Sequence, residues 1–509
     1  MVGQLNPWAI LLVVGVYFIV LFVVAHYTSK DKSNESFFLS KRQAPWYLIA
    51  YGMIGASISG VTFISVPGKV GTEGLNMAFS YLQVVFGYLL GYMVIAFVLM
   101  PIYYRMNLVT IYGYLEERFG IEAYKSGAAL FLISRTIGSS LRLYLMVLVL
   151  QQFALGPLGI PIYVTAFFTI FLVWFYTRKG GNKTILYTDV LLTTCFVLAL
   201  LITIVTIGNV LDKSMFEMFS IAWKSNYSKV FFWDGGWSNP NFFIKQFISG
   251  ALITIVMTGL DQDLMQKNLS CRNIRDAQKN MISFSVIIVF VNILFLTLGA
   301  FLYIFAAQVG IDIPAKTDLL YPTIAFKYLP SFSALVFIIG IVASTFSSTD
   351  SALTALTTSY CVDFLNFNKQ SAQIPEHSID AKKQLDTWQF KVRSQVHIAM
   401  AFVLFLLVLI INALNDDAII NNLFKAAGLT YGPLLGLFAF GIFTHKPIRG
   451  KLVPIISILA PLLTFIIDKY SVQLFNGYKF GFETILLNGT LVFLALLITS
   501  PRQQKINYR

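Results

Sequence analysis

The sequence predicts an all-α polytopic membrane protein of about thirteen transmembrane helices, with a five-plus-five repeated core in which the second and seventh spans are broken. Three observations carry this. The 509 residues are 57% hydrophobic and 12% charged, with a mean hydropathy of +0.72, which is too apolar for a soluble chain of this length. Apolar runs of the roughly 20 residues a bilayer-crossing helix needs recur from Trp8 to Ser500. Lys and Arg gather in alternate connections between them.

In chain order the spans fall at about 8–28, 46–68, 79–103, 124–151, 158–177, 185–209, 241–262, 281–307, 331–362, 395–413, 419–444, 451–467 and 481–499. The first has no basic stretch before it and runs into SKDKSNESFFLSKRQ, the pattern of a retained helix rather than a cleaved signal peptide. The second carries Gly55, Gly60, Pro67 and Gly68 in YGMIGASISGVTFISVPGKVG, and the seventh carries Gly250 and Gly259 in FISGALITIVMTGLDQD. Breaks at corresponding places of two halves point to an inverted-repeat transporter, whose unwound backbone offers carbonyls to ions and solute. For any single glycine, close helix packing is the competing explanation. The resulting division is 1–44 leading helix and loop, 45–209 first repeat, 210–240 external loop, 241–445 second repeat, and 446–509 two trailing helices with a short tail.

The ninth span, IVASTFSSTDSALTALTTSYCVDFL, holds Asp350 inside a hydroxyl-rich helix. A charged side chain at the bilayer centre costs at least about 2.5–3.5 kcal/mol and survives where it meets a cavity, a partner or an ion. At helical spacing Ser344, Ser347, Ser348 and Ser351 line up with Asp350, Thr354 and Thr358 into an oxygen-rich stripe of the kind hard cations such as Na⁺ take.

The net charge of +13 does not indicate a nucleic-acid partner, because roughly 25 basic residues fall in 30–42, 105–125, 178–183, 267–279, 369–393, 446–451 and 502–509, against about 8 in the other connections. By the positive-inside rule those segments are expected on the cytoplasmic side, with the N-terminus outside and the C-terminus inside. Cys195, Cys271 and Cys361 show no disulfide or metal spacing, and His26, His377, His397 and His445 form no metal cluster. GGNKT at Gly180–Thr184 lacks the full spacing of a phosphate-binding loop and any strand before it. The longest polar intervals, 210–240 and 363–394, are far below the ~100–200 residues of a typical domain, so the chemistry is expected within the membrane.

Together these segments resemble the sodium/solute symporter family. IGASISGVTFISVPGK is similar to its first core helix, and VTIYGYLEERFG (Val109–Gly120) to its Tyr-Leu-Glu-x-Arg-Phe signature. ILYTDV (Ile185–Val190) resembles a segment carrying a family aspartate, and GLDQDLMQKNLSCRNIRDAQK (Gly259–Lys279) the Asn/Asp-Gln-x-x-x-Gln-Arg/Lys segment ending in Ala-Gln-Lys. AAGLTYGPLLGLFAFGIF (Ala426–Phe443) resembles a later glycine-rich helix. The resemblance runs over about residues 40–445 and implies a leucine-transporter-type fold. It also implies a first sodium site from the carbonyls of Gly55, Ile58 and Ser344 and the hydroxyls of Ser347 and Ser348. A second position, carried by some members, corresponds to Asp189, Ser347, Asp350 and Ser351. Many relatives have a small residue where this chain has Asp350, and both a strengthened cation site and a proton acceptor stay open there.

Candidate solute contacts are Ser59, Thr62, Gln83, Arg135, Arg142 and Lys425. Arg135 and Arg142 stand two turns apart on one face of the fourth span, where they either meet a substrate carboxylate or neutralise buried acids. Lys425 either contacts solute or snorkels outward near Asp416 and Asp417. Asp261 and Asp263 are expected to organise the inner mouth. Met257 and Thr258 stand where sugar-carrying relatives have an aromatic gate, which speaks against a stacked sugar. The expected function is sodium-coupled, inner-membrane import of a small organic solute, anionic or sialic-acid-like, by a monomer working through alternating access, with no cofactor and no enzymatic chemistry. The alternatives are proton coupling, a neutral or sugar solute, and a solute-sensing receptor on the same scaffold, against which the short tail after Ser500 speaks.

Overall fold

The computed structural model describes residues 6–28, 33–373, 379–414, 419–478 and 480–501; His377, Asp416, Asp417 and the tail after Pro501 lie outside them. The described residues are helical throughout apart from connections and one isolated bridge, Ala44 to Cys271. Among the described residues nine helices are long and apolar enough to cross a membrane, and two bent pairs raise the number to eleven. The expected spans at 158–177 and 481–499 correspond to shorter apolar helices, Ile162–Arg178 and Thr484–Thr499, so length and composition alone do not reach thirteen.

Burial sorts the spans by position. The ninth, Ser331–Phe364, has 78% of its most apolar window buried, whereas the tenth (Asp380–Leu414) and twelfth (Gly450–Lys469) have 22% and the first (Pro7–Thr28) 28%. The ninth is therefore the centre of the bundle, and its serines and threonines face protein. The other three form the perimeter, and their exposed Leu, Ile and Phe side chains suit a lipid solvent.

Both predicted breaks are present. The second span is Trp46–Ser57 followed by Gly60–Lys69, bent by 56°, and the seventh is Phe243–Gly259 followed by Gln262–Asn268, bent by 70°. Ile58 is extended (φ −88°, ψ 90°), and Ser59 caps the next half-helix by accepting from the Val61 N–H, the local preference of a serine N-cap. In the seventh span a π-turn over Ile255–Gly259 ends at Leu260, and Asp261 caps the second half by accepting from the Asp263 N–H.

The third span, Tyr81–Arg105, packs on the seventh through small residues. A Cβ on Gly87 would meet the Phe247 carbonyl at 2.1 Å, and one on Gly250 the Val84 carbonyl at 2.0 Å, so the two backbones touch. Between the fifth and sixth spans the chain turns at Gly181 (φ +51°), whose missing Cβ leaves room for the Phe37 ring. GGNKT is this corner, and Asn182 ties it to Ser40 and Ser270.

Candidate ion and solute site

A helix break strips the last-turn carbonyls of their i+4 donors, and something else must meet them. At the seventh-span break the protein does so itself: the Tyr103 hydroxyl donates to the Gly259 carbonyl (2.9 Å) and the Tyr112 hydroxyl to the Leu260 carbonyl (3.1 Å). At the second-span break no donor among the described residues reaches the carbonyls of Gly55 or Ile58. The two breaks thus differ in what they leave free for a ligand.

The second-span break rests against the sixth (Gly181–Val210) and ninth spans. The Gly55 N–H donates to Thr193 Oγ1 (3.1 Å), and a Cβ on Gly55 would stand 2.8 Å from Ser347 Oγ. Gly52 packs on the Asp189 Cβ in the same way, and Gly60 on Thr345. Ser344 and Ser348 donate their hydroxyl hydrogens back to the carbonyls of Ile341 (3.1 Å) and Thr345 (2.9 Å), which leaves their oxygen lone pairs outward. All three serines are fully buried.

Ser347 donates instead to Asp189 Oδ1 (2.5 Å). The other oxygen of Asp189 receives the Lys267 ammonium at 2.5 Å, and the pair is sealed from solvent, Lys267 at 1% and Asp189 at 0% exposure. Asp350 is held by neutral donors, the Tyr176 hydroxyl (2.5 Å) and the Ser351 N–H (2.5 Å). The Ser351 hydroxyl turns away to Asp263.

Lys267 rides on the half-helix Gln262–Asn268, which is gripped from several sides. Gln262 accepts from the Ile111 N–H and donates to the Val109 carbonyl, Gln266 donates to the Phe38 carbonyl, and Tyr104 donates to the Asn268 carbonyl. Two segments noted separately in the sequence, Val109–Gly120 and Gly259–Lys279, therefore meet here.

Beside the second-span break lies a cavity of about 90 Å³ lined by polar and aromatic groups, among them Ser59, Thr62, Tyr88, Arg135, Arg142 and Thr258. Arg135 is already engaged by acids, pairing with Asp263 and standing 3.8 Å from Asp261, whose carboxylate also accepts from the Tyr431 hydroxyl. Arg142 is 7% exposed and has no hydrogen-bond or ion-pair partner among the described residues.

The model of the family described as "Sodium:solute symporter family" matches residues 37–450. The chain belongs to the sodium:solute symporter family. Its relatives include the sodium/sialic acid symporter SiaT of Proteus mirabilis, 23% identical over 97% of this chain and 93% of that protein. The sodium/sialic acid symporter NanT of Aliivibrio fischeri is also 23% identical, over 91% and 87%. A solved Na⁺-coupled sialic acid symporter, in a substrate-bound outward-open state, has the same fold, with a TM-score of 0.78, 20% identity and 97% of each chain covered. The symporter is accordingly a leucine-transporter-type inverted-repeat protein, and its family is one of transporters.

Within this symporter the predicted residues separate into groups. Gly55, Ile58, Ser344, Ser347 and Ser348 lie in the buried contact between the second and ninth spans. Of the second set, Asp189 and Ser347 share a hydrogen bond, but Asp350 and Ser351 direct their side chains to Tyr176 and Asp263. Ser59, Thr62, Arg135 and Arg142 line the cavity. Gln83 does not: it donates to the Asn241 carbonyl (2.8 Å) and accepts from the Phe232 N–H (3.1 Å), clamping the connection before the seventh span to the third span. Lys425 is exposed and also absent from the lining, although its neighbours Leu423 and Phe424 belong to it.

Sequence reasoning missed Lys267, which it counted among the basic residues of a connection. Asp261 and Asp263 are buried partners of Arg135 as well as neighbours of that connection. The available signal was the break at Gly259, which carries the residues after it back into the bundle instead of out of the membrane. The aromatic neighbours Tyr103, Tyr112 and Tyr176 carried no signal, because a tyrosine in an apolar span is by default packing.

Proposed function

We propose that this symporter imports a small organic anion of the carboxylate class, sialic-acid-like in character, together with Na⁺ across the cell inner membrane. Arg142 carries the reading. Of the described buried cations, Lys245 pairs with Glu483, Lys267 with Asp189 and Arg135 with Asp263, while Arg393 donates to Asn34. Arg142 faces the cavity within electrostatic reach of Asp261 but with no hydrogen-bond or ion-pair partner among the described residues, and a buried guanidinium without such a partner is costly until an anion meets it. Ser59 and Thr62 add hydroxyls for the rest of the solute. The two sodium/sialic acid symporters among its relatives agree with this chemistry.

Sodium binds between the second and ninth spans, on the carbonyls of Gly55, Ile58 and Ser344 and the hydroxyls of Ser347 and Ser348. The uncapped carbonyls at this break support that choice over the tyrosine-capped seventh span. Sodium steadies the break, and the break forms one wall of the cavity, so an ion that binds this state better than its alternative also favours solute binding. Rocking of the core then exposes both inward, with the basic end of the bundle on the cytoplasmic side, the N-terminus outside and a single chain as the working unit.

The test is uptake in proteoliposomes of a solute panel containing sialic acid, short carboxylates, their neutral amides and sugars. Accumulation of a carboxylate under an inward sodium gradient is expected. Equal transport of the neutral amide overturns the anionic reading, and equal drive by a pH gradient in sodium-free buffer overturns sodium coupling.

A further inference from the structure

We infer that a second cavity, enclosed by the short helix Asn34–Leu39, the start of the second span and the start of the sixth, binds the phosphate headgroup of an anionic phospholipid through Lys41 and Lys183. It shares no lining residue with the solute cavity, and its ligand is a component of the bilayer rather than a transported solute.

This cavity has a volume of about 200 Å³. Ser40 ends the helix in the left-handed conformation (φ 49°), its N–H donating to the Ser36 carbonyl, and Lys41 and Arg42 continue in the same region (φ 55° and 53°). The reversal brings Ser36, Ser40 and Lys41 to one wall. A second wall starts at the Gly181 corner and carries Lys183, Leu186 and Tyr187, and Asn182 joins the two by donating to Ser40 Oγ (3.1 Å). Ser36 is fully buried, and its hydroxyl has no hydrogen-bond partner among the described residues. The Ser40 hydroxyl accepts from Asn182 and gives its own hydrogen to no described acceptor. Lys183 is half-buried and pairs with no described acid, and neither Asp nor Glu occurs among the described lining residues. Two ammonium groups beside one pocket repel each other until an anion enters, and a phosphate has oxygens enough for both of them and for the two serine hydroxyls.

The rest of the lining selects a lipid over a soluble phosphate. Ala44, Pro45, Leu48, Leu186 and Tyr187 make one side of the cavity apolar. The second span begins at Trp46 and the sixth at Gly181, so the cavity sits where both helices enter the bilayer. Tyr47 and Tyr187 are 63% and 45% exposed there, the placement of interfacial aromatics. Along the sixth span the outward face continues from Tyr187 through Leu191 to Leu198, an apolar track for an acyl chain. A soluble phosphate engages only the serines and lysines, whereas an anionic phospholipid engages both sides, and basic clusters at this depth attract such lipids.

The experiment is binding of fluorescently labelled phosphatidylglycerol to the purified full-length protein in phosphatidylcholine nanodiscs, with circular dichroism to check that each variant folds. Saturable binding is expected, weakened about 5-fold by Lys41→Gln and by Lys183→Gln, the ~1 kcal/mol of a lysine near an anionic surface. Ser36→Ala, which changes no charge, is expected to weaken it about 10-fold through loss of a hydrogen bond to a charged group. Lys224→Gln, on an exposed lysine outside the cavity, should leave it unchanged. Equal binding of labelled phosphatidylcholine overturns the inference, and so does an equal loss in Lys224→Gln, which would mark bulk attraction. Competition by glycerol phosphate as strong as that by unlabelled phosphatidylglycerol shows a soluble-phosphate site and overturns the lipid assignment. A photoactivatable phosphatidylglycerol on the unmodified protein decides if a variant does not fold: crosslinks are expected at Leu186 and Tyr187, and crosslinks confined to other segments overturn the site.

Discussion

Gly55 lies directly against Ser347, with a Cβ at position 55 placed 2.8 Å from Ser347 Oγ and 2.6 Å from Thr193 Oγ1. This approach, 292 residues apart in the chain, sets the distance between the free carbonyls of one helix and the hydroxyls of another. Gly55→Ala is expected to push the second-span break off the ninth span. An overpacked buried contact costs about 1–3 kcal/mol, so the apparent sodium constant should rise roughly 10-fold to 100-fold. Sodium activation curves of uptake check it, and an unchanged curve would show that this contact does not shape the ion site.

Ser347→Ala removes one hydroxyl from the proposed sodium set and the donor to Asp189 Oδ1. Loss of a hydrogen bond to a charged group is worth about 1.5–3 kcal/mol, which predicts a sodium constant raised roughly 10-fold to 100-fold. The solute constant measured at saturating sodium should stay near its original value. A variant with normal sodium activation would remove Ser347 from the site.

The two arginines are expected to fail in different ways. Arg142→Gln should raise the solute constant roughly 10-fold to 100-fold and leave thermal stability nearly unchanged, because its guanidinium has no hydrogen-bond or ion-pair partner among the described residues to lose. Arg135→Gln leaves Asp263 and Asp261 without their cation and should cost about 3–5 kcal/mol of stability. Parallel uptake and thermal-shift measurements separate them, and the opposite pattern would move solute contact to Arg135.

Gln83→Leu tests a residue that the structure removes from the cavity wall. Its two hydrogen bonds join the third span to Asn241 and Phe232, so substitution should lower stability by about 1–3 kcal/mol. The solute constant should be unchanged once folded protein is counted. A large rise in that constant with unchanged stability would restore Gln83 as a solute ligand.

Much of the molecule was legible along the chain. Hydropathy located the nine long apolar helices and the two bent pairs found among the described residues, because a bilayer-crossing helix must bury its backbone within one contiguous apolar segment. Gly55 and Gly259 marked the breaks, because loss of side chain and free backbone rotation are properties of the residue itself. The serine stripe on the ninth span followed from helical spacing alone. Arg142 and Arg135 could be placed on one face by the same spacing, but not told apart.

What the sequence by itself determined is therefore the one-dimensional layer: a membrane protein with interrupted second and seventh spans, a family likeness, and a polar ninth helix. The tertiary structure alone decided which charge meets which. Lys267 finds Asp189 across 78 residues and Arg135 finds Asp263 across 128, so neither pairing has a local signature. The same holds for Tyr103 and Tyr112, which reach the seventh-span carbonyls from 156 and 148 residues away. The physical reason is that helix formation and membrane insertion act on neighbours in the chain. Partnering of buried charges and freed carbonyls is settled only when the spans pack, where every unpaired polar group is expensive and the nearest complementary one takes it.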